Sequence, residues 1–600
     1  MTNKLKKRSE IDDKYKWDLS LMYKSEEQFE KEKEALLKEI SELEKFKGHI
    51  TDSASTLYDF IILSESSEQK LEDLYVYSQM DCDSDSTDSK RQSRKMLIEK
   101  LNDDINNRLS FATPEILSTG YEKIKLFIDE DSRLEKYKFF FEKMFRYVDH
   151  TLSEQEEEIV SKAISAFGTG DDVFYNLDNT DIKLGMIKDD SGNDVELTNS
   201  NYIRYMNSKN RDVRIDAFSH MFNYFKGLVN TIAASLKGAI KENYFLSTVK
   251  KYTNPLEMSL YSDNINIGVY KNLIEIIHDN MDAMYDYMSL RKKILGLEEM
   301  HMYDIYVDLV DDEKKNISFE EGKQILFDAL KPLGKRYIDD LNKAFEERWI
   351  DVFPNIGKKS GAYSFGTYNS KPYLLLNYDN TVDSVSTMAH ELGHSMHSYY
   401  SHLNQDYTYA HYPIFLAEIA STVNETLLND YLYKTANTKE EKIRYLTEFL
   451  DKVRTTIYRQ TMFAEFEMLM HDKYQNNIPL TAEEFSTTYY DLNKLYYGDN
   501  VISDELIRYE WARIPHFYSS FYVYKYATGL SAALAISKEI LAGNKEALDN
   551  YLEFLSSGGN GYPLDILKKC GVDMESGEPV LKAIEMFRDK LAKLKELIEE

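Results

Sequence analysis

The stretch TMAHELGHSMH, residues 387–397, places three histidines and one glutamate close together in a chain with only 12 histidines among 600 residues. His390 and His394 are four positions apart, so on a helix their imidazoles face the same way. Two imidazoles at this spacing are typical zinc ligands, and Glu391 beside the first can reach a water near the metal without binding the metal itself. The pattern predicts metal-assisted hydrolysis with Glu391 as the catalytic base.

A catalytic zinc needs a third protein ligand, and the following helix offers two candidates. Position 400 is Tyr and position 414 is Ile, which excludes a histidine six residues, or a glutamate 20 residues, after His394. In HYPIFLAEIASTVNETLLNDYL, residues 411–432, Glu418 and Glu425 share one helix face and both satisfy the spacing. The alternative for both is a solvated helix face, the usual environment of glutamate.

The helix that carries the two histidines is expected to begin near Asp383 or Ser384, either of which can cap it. Its apolar stripe is predicted to be Val385, Met388, Leu392, Met396 and Tyr399. Gly393 lies mid-helix at a cost of about 1 kcal/mol relative to alanine, so we expect another backbone or a substrate to approach it closely. His397 lies on the histidine face and is interpreted as a residue that supports the ligands, or as a satisfied histidine, rather than as a ligand.

Two further elements flank the histidine helix. Pro413 suits the first turn of the helix that carries the candidate glutamates. Before the histidines, GAYSFGTYNSKPYLLLNY, residues 361–378, has two tyrosine-rich runs separated by a turn, which predicts a β-hairpin. An edge of such a hairpin can pair with a peptide backbone, so Gly361, Ala362 and Tyr363 are the expected substrate contacts.

Glycine and proline are scarce along the chain, with 24 and 10 residues respectively, which predicts long helices. Two stretches, residues 26–46 and 584–598, each show five apolar residues at helical spacing. In the first they are Phe29, Leu36, Ile40, Leu43 and Phe46, and in the second Ile584, Phe587, Leu591, Leu594 and Ile598. Both stretches are interpreted as helices packed on the body rather than as coiled coils. Residues 182–198 predict a second hairpin, near the join between an N-terminal helical region and the rest of the chain.

Composition excludes several classes of function. A formal net charge of −29 disfavours nucleic-acid binding, which needs basic surfaces. No run approaches the roughly 20 apolar residues of a membrane span, and no apolar stretch follows the basic start, so neither a membrane protein nor a secretory signal is expected. Cys82 and Cys570 lie far apart, which fits a reducing cytoplasm rather than a disulfide framework.

Several motifs together resemble a known family. AHELGHSMH, followed 24 residues after His394 by the glutamate of FLAEIASTVNE, resembles the thimet oligopeptidase (M3) family of zinc metallopeptidases, and more closely its bacterial branch, oligoendopeptidase F. Residues 361–378 and RIPHFYSSFYVYKYATGLSAA, residues 513–533, resemble the same family. The resemblance covers roughly residues 115–590 and implies a mainly α fold. It implies a large, multi-helical, ellipsoidal body of two lobes enclosing a deep substrate channel, with a small β-hairpin or sheet beside the HExxH helix.

The resemblance also implies three regions along the chain. They are an N-terminal helical region at 1–114, an oligopeptidase F-type N-terminal domain at 115–200, and a zinc metallopeptidase catalytic domain at 201–600. By the same match, one Zn²⁺ per chain is bound by His390, His394 and Glu418. Glu391 is then the base, and Glu425 lies behind the ligands and supports them.

A late segment of the family holds the reacting carbonyl with a histidine and tyrosines, and His516 matches that histidine. Tyr522 and Tyr526 are the candidate catalytic tyrosines because on a helix they share a face, while Tyr524 points away. Tyr518 is the next candidate. The mammalian members have a glycine-rich run here, and this chain has FYSSFYVY instead. The choice of tyrosine therefore stays open.

The resemblance implies a cytoplasmic zinc endopeptidase that hydrolyses internal bonds of short oligopeptides in intracellular peptide turnover. One alternative is a zinc peptidyl-dipeptidase or carboxypeptidase, which usually binds the terminal carboxylate with a cation near the cleft. A second alternative is a non-catalytic peptide-binding protein, which is disfavoured because Glu391 and three candidate ligands are all present. Oligopeptides are the expected partners, no nucleic-acid or membrane partner is expected, and the oligomeric state stays open.

Overall fold

The computed structural model describes residues 5–310 and 315–599. This part of the chain is mainly helical, as the scarcity of glycine and proline predicts. In chain order the helices are α1 Glu26–Leu43, α2 Ala54–Ser84, α3 Ser89–Leu109, α4 Ala112–Thr119, α5 Tyr121–Glu130, α6 Lys138–Phe145, α7 Glu154–Phe167, α8 Thr169–Tyr175, α9 Asn199–Met206, α10 Arg211–Val249, α11 Pro255–Tyr261, α12 Ile267–Asp279, α13 Met281–Ile294, α14 Phe319–Ala329, α15 Gly334–Glu346, α16 Val382–Asn404, α17 Tyr407–Ala410, α18 Ile414–Thr435, α19 Lys439–Val453, α20 Arg459–Gln475, α21 Ala482–Tyr497, α22 Tyr524–Leu541, α23 Lys545–Ser556, α24 Pro563–Lys569 and α25 Glu578–Glu599.

The chain divides into two compact units, each built from three stretches of sequence. Unit 1 comprises Met1–Asp149, Lys314–Leu428 and Glu539–Gly571. Unit 2 comprises His150–Glu313, Asn429–Lys538 and Val572–Glu600. The histidine motif and the hairpin before it therefore belong to unit 1, and residues 513–533 belong to unit 2.

The N-terminal part of unit 1 has its own apolar core, formed by helices α1 to α6. Helix α1 begins after Ser25, whose side chain accepts a hydrogen bond from the Gln28 backbone N–H. The predicted apolar face of α1 is buried at Phe29, Leu36, Ile40 and Leu43. The helix ends at Leu43, and a short 3₁₀ turn follows that carries the fifth predicted residue, Phe46.

A three-stranded sheet in unit 1 contains the predicted 361–378 hairpin. Strands β4 (Tyr363–Phe365) and β5 (Tyr373–Leu375) pair antiparallel, which confirms the hairpin. Strand β3 (Ile350–Asp351) pairs parallel with the other side of β5 and was not predicted. The order β3-β5-β4 leaves β4 at the edge of the sheet.

The other predicted hairpin lies in unit 2, where β1 (Met186–Lys188) pairs antiparallel with β2 (Asp194–Glu196). The long helix α10 also belongs to this unit. It begins after Asn210, whose side chain accepts from the Asp212 N–H, and it buries apolar residues along its length. The C-terminal helix α25 buries four residues of its predicted stripe, Ile584, Phe587, Leu591 and Leu594, while the fifth, Ile598, is half-buried. Among the described helices, none combines the length and apolar character that crossing a bilayer requires.

Candidate metal centre

Helix α16, which carries the histidine motif, begins at Val382 rather than at the predicted cap. Thr381 is the N-cap, because its side chain accepts a hydrogen bond from the Ser384 backbone N–H. The prediction of Asp383 or Ser384 as the cap was wrong, since the Ser384 hydroxyl instead donates to Asp379 Oδ1 at 2.6 Å. Of the five predicted stripe residues, Tyr399 is half-buried. The other four are fully buried: Val385, Met388, Leu392 and Met396.

Three side chains from α16 and α18 converge on one point. His390 Nε2 and His394 Nε2 are 3.1 Å apart. Glu418 Oε2 lies 3.5 Å from each of these nitrogens. Zinc bonds of about 2.0–2.1 Å in a tetrahedral arrangement would separate the ligand atoms by about 3.3–3.4 Å, which is close to the observed spacing. Among the described residues this is the one group of His, Cys, Asp and Glu side chains with a metal-binding arrangement.

The structure distinguishes the two glutamates of α18, which the sequence left equivalent. Glu425 Oε1 lies 2.8 Å from His390 Nδ1, on the far side of the ring from the converging donors. A hydrogen bond there holds the proton on Nδ1 and leaves the Nε2 lone pair for a metal. Glu418 instead points to the convergence point. The imidazoles of His394 and His390 lower the pKa of Glu418 to about 2, which keeps this carboxylate anionic.

The close approach that Gly393 was predicted to permit is made by the backbone of α18. A Cβ at position 393 would lie 2.5 Å from Ser421 Cα and 2.7 Å from the Ala420 carbonyl oxygen. Asn424 fixes the same crossing, because its Nδ2 donates to the Ala389 carbonyl at 3.1 Å. The two helices therefore cross backbone to backbone within one turn of Glu418, and this crossing brings the glutamate to the histidines.

Gly393→Ala is expected to push α18 away from α16 and to weaken metal binding. The added methyl group would overlap backbone atoms, which cannot move aside as a flexible side chain can. We expect zinc affinity to fall by about 10–100-fold, the range seen when groups that position a ligand are lost. Zinc titration against a competing chelator measures this change.

The matched control is Gly227→Ala, an exposed glycine within α10 around which no atom lies within 4 Å of the added Cβ. This variant should keep its zinc affinity and gain up to about 1 kcal/mol of helix stability. Unchanged zinc affinity in Gly393→Ala would contradict the role given to the helix crossing.

Glu391 lies beside the donors with its side chain turned toward the sheet, and it is 8% exposed. Burial raises the pKa of Glu391 above its ordinary value, while His390, His394 and the Ser364 backbone amide lower it. The Ser364 amide belongs to the edge strand β4, so the carboxylate faces that strand. A hydrogen bond of 2.8 Å between Ser364 Oγ and Ser395 Oγ also joins β4 to α16.

A cavity of about 620 Å³ opens in front of this carboxylate. Its lining includes His390, Glu391 and Glu425 together with the predicted substrate contacts Gly361 and Ala362. The third predicted contact, Tyr363, points elsewhere: its hydroxyl donates to Asp83 Oδ2 at 3.0 Å, and it is not among the residues that line the cavity. At position 363 only the backbone remains a candidate for substrate contact.

His397, predicted to support the ligands, has a different environment. It is fully buried, and its ring stacks on Tyr412 with centroids 3.6 Å apart. Neither ring nitrogen has a hydrogen-bond partner among the described residues. Burial lowers the pKa of His397 well below its ordinary value, so the imidazole is neutral. Any support it gives the site passes through packing against Tyr412 rather than through a hydrogen bond to a ligand.

In unit 2, three predicted catalytic residues form a cluster. His516 Nε2 lies 3.2 Å from the Tyr526 hydroxyl. The Tyr522 ring lies 5.4 Å from that of Tyr526 and 6.2 Å from that of His516. Burial, with a smaller contribution from Arg459, lowers the pKa of His516, which favours a neutral imidazole.

The prediction that Tyr522 and Tyr526 share a helix face was wrong. Helix α22 begins only at Tyr524, so Tyr522 precedes it in a turn and does not share a helix face with Tyr526. The rings of Tyr522 and Tyr526 nevertheless lie together, and Tyr524 points away, fully buried against the ring of Tyr270. Tyr518 is engaged elsewhere, because its hydroxyl donates to Ser235 Oγ at 3.0 Å.

Two groups that position the centre could not be predicted from the sequence. Asn424 sits within the α18 sequence between predicted apolar positions, and no local pattern marks it as the donor to α16. Ser364 and Ser395 are small hydroxyl residues with no signature of their own. The hairpin prediction could have located Ser364 in β4, but not its contact with Glu391.

Comparisons with known proteins extend over nearly the whole chain. The family model described as Peptidase family M3 matches residues 204–586, and the one described as Oligopeptidase F matches residues 115–183. Oligopeptidase PepF of Bacillus subtilis is 41% identical over 596 residues, which cover 99% of this chain and 89% of that protein. An oligoendopeptidase F homolog of Lactococcus lactis subsp. lactis is 38% identical over 595 residues, 99% of each chain.

Solved structures show the same likeness. A protein from Chlamydophila abortus matches with a TM-score of 0.92 at 36% identity, covering 99% of this chain and all of that one. Oligoendopeptidase-F from Enterococcus faecium matches with a TM-score of 0.74 at 32% identity, covering 96% and 99% of the two chains.

Proposed function

The chain belongs to peptidase family M3, and on this basis we propose that it is a zinc-dependent endopeptidase that hydrolyses internal bonds of short oligopeptides in cytoplasmic peptide turnover. The observation that carries the proposal is the convergence of His390, His394 and Glu418 on one point, with Glu391 beside them. Glu425 supports the set from behind His390. A metal site with an adjacent buried carboxylate is the arrangement that peptide hydrolysis needs.

The choice of zinc rests on the ligand types. Two neutral imidazoles and one carboxylate make a three-ligand catalytic zinc site with a fourth position for water or substrate. When bound, zinc supplies Lewis-acid polarisation of the substrate carbonyl and lowers the pKa of a water to about 7. We propose one ion per chain.

Glu391 is proposed as the general base. Its carboxylate faces the cavity from beside the ligands, so it can accept a proton from the attacking water and later return it to the leaving amine. Its position next to a ligand, without a direct part in the convergence, separates this role from metal binding. The Ser364 amide of β4 lies beside this carboxylate and favours its charged form.

The edge strand β4 is proposed as the surface on which the peptide backbone lies. Within the described sheet, β4 pairs with β5 on one side only. Gly361 and Ala362, just before β4, line the cavity that contains Glu391. An extended peptide that adds to this edge would run past the catalytic carboxylate. This mode favours extended peptides over folded chains, in line with the enclosed channel that the family resemblance implies.

Cleavage of a defined short peptide, followed by mass spectrometry with and without a chelator, tests the proposed function. We expect internal cuts that stop when the metal is removed and return when zinc is added. A ladder of dipeptides from the carboxyl end would instead identify a peptidyl-dipeptidase, and binding without cleavage would identify a peptide-binding protein. A stable folded domain serves as the comparison substrate, and its rapid cleavage at interior sites would contradict selection of extended peptides.

His516 and one of Tyr522 or Tyr526 are predicted to act on the transition state more than on substrate binding. A tetrahedral intermediate has an oxyanion that the ground-state peptide lacks, so a hydroxyl donor directed at it changes kcat more than KM. We expect Tyr522→Phe or Tyr526→Phe, and His516→Ala, to lose about 100–1,000-fold in kcat with zinc retained. Steady-state kinetics with zinc analysis measure both quantities.

Tyr524→Phe is the matched control, because Tyr524 is fully buried against Tyr270 and away from the cluster. It should keep wild-type kcat. Full kcat in both Tyr522→Phe and Tyr526→Phe would mean that neither tyrosine is the oxyanion donor, and would leave His516 as the candidate in this cluster.

A further inference from the structure

The turn that carries Tyr522 contains a strained residue. Phe521, between the 3₁₀ turn Pro515–Tyr518 and α22, has φ of 58°, in the left-handed region. Of the six non-glycine residues with positive φ in the described chain, the other five are lysine, arginine or asparagine. A bulky buried residue adopts this conformation only where its surroundings enforce it. Phe521 is 1% exposed, so the enforcing contacts lie inside the protein.

Side chains from three helices of unit 2 hold this turn. Glu467 of α20 accepts a hydrogen bond from the Phe521 backbone N–H at 2.6 Å. Ser259 of α11 donates to the Ser520 carbonyl at 3.0 Å, and Asn243 of α10 donates to the Ser520 hydroxyl. The contact of Glu467 is the one made with the strained residue itself.

Glu467 is an unusual residue for a purely structural position. It is 3% exposed, and its second oxygen, Oε2, has no hydrogen-bond partner among the described residues. Burial raises the pKa of Glu467 well above its ordinary value, so the carboxyl group is held neutral. A buried carboxyl group that makes one hydrogen bond destabilises a fold compared with an apolar side chain. The hydrogen bond to Phe521 is therefore expected to have a role other than stability.

We propose that Glu467 is a positioning residue for the catalytic tyrosine cluster: by accepting the Phe521 N–H it holds the left-handed turn that places Tyr522 against His516 and Tyr526. This inference rests on the proposed function of that cluster. If Phe521 returned to a negative φ, the chain would leave the turn in another direction and Tyr522 would lose its contacts with the other two rings. The neighbouring His471 ring, 4.6 Å from that of Phe521, packs the turn from the side.

Hydrogen–deuterium exchange at the Phe521 amide tests the hydrogen bond, and kinetics test its consequence. In Glu467→Ala we expect faster exchange at residues 519–523 and a fall in kcat of up to about 100-fold, with zinc content and KM near wild type. Glu467→Gln keeps an acceptor of the same shape and no charge, so it should restore both protection and kcat. Glu467→Asp, which keeps a carboxyl group but withdraws it from the amide, should behave like Glu467→Ala and provides a second variant if alanine prevents folding.

Glu465→Ala is the matched control on the same helix. Glu465 is also buried, but its carboxylate accepts from the Tyr496 hydroxyl and pairs with His278, away from the turn. Its loss should lower thermal stability while exchange at the turn and kcat stay at wild-type values. A fall in kcat equal to that of Glu467→Ala would show that any buried defect in α20 reduces activity, and would overturn the inference.

The two readouts separate failure of this inference from failure of the proposed function. Unchanged exchange in Glu467→Ala would show that the hydrogen bond does not hold the turn. Faster exchange with full kcat, in a protein whose Tyr522→Phe variant has lost activity, would also overturn the positioning role. If Tyr522→Phe and Tyr526→Phe both keep full activity, the proposed function of the cluster fails, and with it any catalytic consequence of the turn.

Discussion

Glu391→Gln is expected to lose about 10²–10⁴-fold in kcat, the range attributed to a general acid–base group, while it retains its zinc. Glutamine has the shape of glutamate and can keep an oxygen toward the Ser364 amide, but it cannot accept the proton of the attacking water. The histidines and Glu418 are untouched, so the metal site should survive. The test measures two quantities on the same preparation: the turnover of a defined peptide and the amount of bound zinc.

Two outcomes would contradict this assignment. Turnover near wild type would remove Glu391 from the mechanism. Loss of zinc together with activity would mean that Glu391 takes part in holding the ion. We do not expect this, because the Glu391 side chain is turned toward β4. Retained thermal stability in the same variant would exclude unfolding as the cause of lost turnover.

Glu418→Ala is expected to abolish stable zinc binding, whereas Glu425→Ala should weaken it by only about 10–100-fold. The difference follows from geometry. Glu418 supplies one of three converging donor atoms, and a catalytic zinc retains three protein ligands. Glu425 contacts the opposite nitrogen of His390, so its loss leaves all three donors in place but frees the ring to rotate and to carry its proton on either nitrogen.

The two variants serve as matched controls for one another, since both remove a glutamate side chain from the same face of α18. Zinc titration against a competing chelator ranks them. If Glu425→Ala were the metal-free variant and Glu418→Ala kept its zinc, the two assignments would be reversed. Equal loss in both would show that the helix face as a whole, rather than one donor, holds the ion.

The local features of the site were predictable where they depend on periodicity. The 3.6-residue repeat identified α16, its buried face and the orientation of His390 and His394 without any tertiary information. The exact start of α16 was not predictable, because Thr381, Asp383 and Ser384 can all act as caps and only the observed hydrogen bond selects Thr381. Strand β3 was missed because two residues are too few to show an alternating pattern.

Features that depend on how elements pack were only partly predictable. Gly393 signalled that some backbone comes close, but the sequence could not say that the backbone is that of α18. The same crossing decides between Glu418 and Glu425, which are equivalent by spacing and differ only in which side of His390 they reach. Tyr522 and Tyr526 lie together, but not because they share a helix face, as was predicted. Tyr522 precedes α22, and the turn at Phe521 brings it to Tyr526.

Stepwise return of zinc to metal-free protein, with peptide cleavage followed at each step, tests whether catalysis depends on this zinc centre. We expect no cleavage without metal, a linear rise with added zinc, and a plateau at one ion per chain. Glu391→Gln should bind the same single ion and stay inactive across the titration. Full cleavage by metal-free protein, or cleavage restored in Glu418→Ala at the same zinc concentration, would contradict a zinc centre built from His390, His394 and Glu418.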